Sequence, residues 1–146
     1  MANLIAQIIH TLSSSSRRDA LDEALLQAAF LFEKARGLEP CGWPDEVVGA
    51  DLTPGELCRL KQAVVDFVER AGFGSWSLSK CEDPSLKPVF IRALQRNVGG
   101  DPHEMFNAML ALSGLGEDIF EGRRSMCVTE TTANRDLAIK YLKRCS

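Results

Sequence analysis

Apolar positions recur every three or four residues along most of the chain, the period of a helix with one buried side. The densest stretch is 16–37. Leu21, Ala24, Leu25, Ala28, Phe32 and Ala35 form one stripe, and Leu26, Ala29, Phe30 and Leu31 spread apolar surface well beyond it. Ser16 followed by Asp19 resembles a capping box, and Gly37 supplies a left-handed stop, so the pattern predicts a helix over 16–36. A helix apolar on most sides has to be surrounded, and the rest of the chain reads as what surrounds it. Its wet first turn, with Arg17, Arg18, Asp22 and Glu23, leaves 24–32 as the buried segment. Any face of Leu26, Phe30 or Leu31 left uncovered would mark a partner or dimer contact.

Further periodic stretches follow the same grammar. Residues 2–12 give a short amphipathic helix that ends in the serine run 13–16. Thr53-Pro54-Gly55-Glu56 carries a cap, a proline at the first helical position and the returning acid, and starts a helix that Gly72 ends. A helix over about 85–97 places Pro88 in its first turn, where the missing N–H is harmless. Asp101-Pro102-His103-Glu104 starts another that ends near Gly114, a short helical piece is expected over 117–121, and a last helix over about 130–144. The two Pro-containing starts share little beyond their caps, so no internal duplication is read from them. The expected architecture is all-α: one domain over 1–146, an irregular bundle of six or seven helices packed around the central hydrophobic helix 16–36.

Two connectors break the pattern. Residues 38–52 hold two prolines, two glycines, Trp43, Val47 and Val48, and fit no regular element. Residues 73–84 hold Phe73 and Trp76 and alternate enough for a short extended piece. Tryptophans on loops either cover a helical core or anchor an interface.

The length of 146 residues is enough for one well-buried core, and 45% apolar with 25% charged residues is ordinary globular composition. Net charge is −3, made up of −4 over residues 1–60, −2 over 61–120 and +3 over 121–146, so only the tail is basic. Arg123, Arg124, Arg135, Lys140, Lys143 and Arg144 could form an anion-binding patch there, but without interleaved exposed aromatics they read more simply as the solvated side of the final helix. No apolar run approaches the ~20 residues that span a bilayer, and no basic region precedes the first apolar residues. The expected compartment is therefore the cytoplasm, with no membrane partner.

Cys41, Cys58, Cys81, Cys127 and Cys145 stand far apart in sequence, with no close pair of the kind that binds zinc or cycles as a disulfide. They are expected to be reduced and to act as small buried hydrophobes. Two histidines, His10 and His103, complete no site, and phosphate-binding, calcium-binding and nucleophile-elbow motifs are missing. No catalytic residue, metal or cofactor is assigned. With so poor a catalytic inventory, the reading is a non-catalytic protein-binding or regulatory module that uses loops 38–52 and 73–84, with Trp43, Trp76, Phe73 and Val47 as contacts. A homodimer through the apolar faces is open. The alternatives are a small-molecule-binding or enzymatic domain with a pocket near His103, Met105 and Met109, and, third, nucleic-acid binding through the basic last helix.

Overall fold

In a computed structural model, which describes residues 3–123 and 126–146, the chain is all-α. Among the described residues there are eight α-helices, one 3-10 turn and no strand: α1 (Leu4–Ser14), α2 (Arg18–Ala35), α3 (Asp45–Val48), α4 (Pro54–Ala71), α5 (Ser75–Ser79), α6 (Lys87–Asn97), α7 (Pro102–Gly114) and α8 (Thr131–Cys145). The 3-10 turn, Pro84–Leu86, leads into α6. The contacts divide the chain into two compact units, one of residues 1–67 with 77–81, the other of 68–76 with 82–146, so the division falls inside α4 and α5.

In the first unit α2 packs against α1 and α3. Its buried residues are Leu21, Ala24, Leu25, Ala28, Ala29, Leu31 and Phe32, the central segment of the helix. Asn3 caps α1 by accepting from the Ala6 N–H at 2.8 Å, and its amide donates to Glu56 Oε2 at 3.1 Å, tying the start of α1 to the start of α4. The box at α4 is closed in both directions: the Glu56 N–H donates to Thr53 Oγ1 at 3.1 Å, and the Thr53 N–H to Glu56 Oε1 at 3.2 Å. The box expected of Ser16 and Asp19 does not form. The helix starts one residue later, Arg17 occupies the cap position without a side-chain bond, and Asp19 pairs with the Arg17 guanidinium at 2.8 Å. At the other end of α2, Gly37 takes φ +81°, and the N–H groups of Gly37 and Leu38 donate to the carbonyls of Lys34 and Glu33. That pair of bonds is a Schellman stop.

The second unit is built on its most extensive helix pair, α6 with α7, and α8 packs on both. Val89, Phe90, Leu94, Met105, Met109, Leu112, Leu137 and Tyr141 are buried, and Phe106 meets Phe120 with ring centroids 5.9 Å apart. Asp83 caps the 3-10 turn and Asp101 caps α7 through the His103 N–H, and Pro88 lies in the first turn of α6 as the sequence predicts. Gly72 closes α4 at φ +83°. A side chain there would strike the Arg96 guanidinium, whose Nη1 donates to the last carbonyls of α4 at Glu69 and Arg70.

Three segments differ from expectation. Residues 38–52, expected to hold no regular element, contain the one-turn helix α3, started by Pro44 and seated by the buried Val47. The extended piece expected within 73–84 is instead the short helix α5. There the Ser77 hydroxyl donates to the Leu25 carbonyl at 2.6 Å and Leu78 is fully buried, contacts within the first unit that local alternation does not reveal. The helical piece expected over 117–121 is a pair of bends. Gly116, Glu121 and Gly122 all adopt positive φ, which interrupts a right-handed helical path on both sides of residues 117–120.

Candidate functional site

The segment 38–52 is fastened from α2. The Lys34 ammonium donates to the carbonyls of Val47 and Val48, at 3.1 and 2.6 Å, and to that of Ala50, satisfying the open end of α3. Val47 is fully buried, which corrects its assignment as a partner contact: it is the anchor that seats α3. Trp43 is half-buried, and its ring lies against Phe30 with centroids 6.3 Å apart and planes tilted by 35°. Phe30 is itself half-buried, and Leu26, one turn earlier on α2, is 42% exposed. Leu31, by contrast, is fully buried. The uncovered face anticipated on this helix is therefore Leu26 with Phe30.

Glu23 and Glu33 extend that face at either end, because 23, 26, 30 and 33 follow the helical spacing of three and four. Glu23 is exposed and Glu33 half-exposed. Neither carboxylate has a partner among the described residues, whereas the nearby Arg18 is paired with Asp22 at 3.0 Å.

In the second unit Trp76 is 38% exposed and Phe73 half-buried. The turn that carries them is held to the start of α7 by the Gly74 N–H, which donates to Glu104 Oε2 at 3.3 Å. His103 is exposed at that helix start, while Met105 and Met109 are fully buried, so the three do not line a shared opening.

The basic residues of the tail are largely engaged within the second unit. Arg135 donates to the Val98 carbonyl, Lys140 pairs with Glu121 at 3.2 Å, and Arg144 donates to the Asp118 carbonyl while lying 5.6 Å from the centre of the Tyr141 ring. Arg123 and Lys143 are exposed, and Arg124 lies outside the described residues.

One polar cluster escaped the sequence reading. Lys87, Ile91, Glu117, Asp118, Tyr141, Arg144 and Cys145 line a cleft of about 380 Å³. The Tyr141 hydroxyl donates to Glu117 Oε1 at 2.7 Å, and the Lys87 ammonium pairs with the same oxygen at 2.9 Å. The Tyr141 hydroxyl and the Lys87 ammonium hold the Glu117 carboxyl below the usual carboxylate range, and Glu117 in turn raises Lys87. Burial, then the bond to Glu117, pushes the Tyr141 phenol up. This arrangement stabilises the ionised carboxylate and the neutral phenol, so it acts as a latch between the 115–121 bend, α6 and α8. Nothing local in the sequence signals it, since its members come from three separate segments.

The expectation of buried cysteines is also corrected. Cys41, Cys58, Cys127 and Cys145 are exposed and Cys81 is half-buried, and none forms a disulfide. Among the described residues no three His, Cys, Asp or Glu side chains are placed to hold a metal ion, and no helix is long and apolar enough to cross a membrane. No protein-family model, curated protein or solved structure matches the chain.

Proposed function

We propose that the chain is a non-catalytic protein-binding or regulatory module of the cytoplasm whose contact surface includes the outer face of α2 with Trp43. One observation carries this reading: on a helix whose Leu21, Leu25, Leu31 and Phe32 are buried, Leu26 is left 42% exposed in line with the half-buried Phe30 and Trp43 pair. An apolar group of this kind, with an indole at its edge, is the composition of an interface anchor. Trp76 gives the second unit an exposed aromatic of its own.

The test is site-specific photo-crosslinking in the full chain. A photoactivatable side chain at position 26 should give a discrete adduct in living cells, and the same group at Gln62, on the exposed side of α4, should not. Equal labelling patterns at the two positions would sink the reading.

A further inference from the structure

The open face of α2 also specifies what it fits. We infer that Glu23, Leu26, Phe30 and Glu33, with Trp43 alongside, dock a basic amphipathic helix of a partner protein, an inference that rests on the protein-binding reading above. Ten residues separate Glu23 from Glu33, about 15 Å along a helix axis. Over that length the surface reads acid, apolar, apolar, acid, and the two carboxylates are without partners among the described residues. The complementary surface is a helix of about three turns with apolar residues at its centre and Lys or Arg toward both ends.

The charge around the face points the same way. The first unit carries ten Asp and Glu against seven Lys and Arg, while the second has ten of each. Arg18 is paired with Asp22, and the Lys34 ammonium is bound to three carbonyls. A second copy of the chain is a poor occupant. A two-fold antiparallel pairing of this face would set Glu23 of one copy against Glu33 of the other, and like charges placed opposite one another repel. An anionic membrane surface or a nucleic acid would meet the same two carboxylates.

The experiment uses the full chain and two probe peptides of about 18 residues, five helical turns, with an identical leucine stripe and either lysine or glutamate elsewhere. A Trp76→Phe background makes Trp43 emission the local readout. The lysine peptide should shift Trp43 emission and bind about tenfold or more tighter than the glutamate peptide. Leu26→Asp should weaken that binding about tenfold, and Glu23→Lys with Glu33→Lys should reverse the preference between peptides. Asp66→Lys, the same type of charge change on α4, should leave it within about twofold. Helical circular dichroism confirms that each variant is folded, and Leu26→Ser replaces Leu26→Asp if that variant unfolds. Equal binding of both peptides, lysine-peptide binding untouched by the α2 variants, or a stable homodimer through this face by light scattering would each overturn the inference. A position-26 adduct combined with no preference for the lysine peptide would leave the protein-binding reading standing and remove the basic helix.

Discussion

The hydroxyl of Tyr141 donates to Glu117 Oε1 at 2.7 Å, and that bond helps move two titrations in opposite directions. Glu117 titrates below its ordinary value of 4.5, so its contribution to stability is complete above that value and is lost as pH falls through the lowered folded pKa. Tyr141 titrates above its ordinary 10.0, so its contribution is complete below that value and is lost as pH rises past it, where the unfolded chain ionises first. Tyr141→Phe should therefore cost about 1–2 kcal/mol at neutral pH through the lost bond to a charged acceptor. It should also flatten both limbs of the stability profile, the alkaline one more completely because Lys87 still supports Glu117. Urea midpoints measured from acid to alkaline pH check this, and superimposable profiles for the two proteins would refute it. Neither residue advertises the pairing in sequence. Tyr141 is a buried position of the last helix, but its partner lies 24 positions away in a bend that local periodicity mistakes for a helix.

Helix starts show how far local grammar reaches. Thr53 and Glu56 exchange both capping bonds, and the whole motif lies within four residues, so it is legible without knowledge of the fold. Ser16 and Asp19 have the same spacing but lie one position too early: α2 begins at Arg18, and Asp19 is drawn to Arg17. Thr53→Ala should consequently cost about 1 kcal/mol. Ser16→Ala should stay within about 0.5 kcal/mol, because the exposed hydroxyl caps nothing. Thermal or urea unfolding of the two variants side by side distinguishes a formed box from a resemblance to one, and equal losses would show that Ser16 also caps in solution. The segments that eluded the sequence are those whose shape is set from a distance. The form of α5 depends on the Leu25 carbonyl and the burial of Leu78, and the seating of α3 depends on Val47 and the Lys34 ammonium. For the same reason Val47, apolar and on a loop, reads as a contact when it is an anchor, while Leu26 and Phe30 need the observed burial of their neighbours before they stand out as the uncovered side of α2.

Across the whole molecule, the charge and the thiols are distributed in ways composition alone does not give. The net charge of −3 belongs to the first unit, and the basic tail is balanced by acids of its own unit. Cysteine is among the residue types most often buried, and that general tendency fails here for positional reasons. Cys41 follows Pro40 in an exposed turn, Cys58 lies off the buried stripe of α4, and Cys145 lies in the last turn of α8. A disulfide-exchange reagent added to the native protein should therefore modify four thiols quickly and Cys81 more slowly, with all five reacting together once the chain is unfolded. Cys127 should be the fastest. Its thiol is lowered by the Thr129 hydroxyl, whose oxygen lies 3.1 Å from the sulfur, and an exposed thiol with a larger thiolate fraction attacks sooner. Thr129→Ala should slow that site while leaving Cys41 and Cys58 unchanged, which peptide mapping after brief labelling can read. Labelling of Cys81 at the rate of the other four would contradict its partial burial, and a Cys127 rate insensitive to Thr129 would contradict the hydroxyl as the cause.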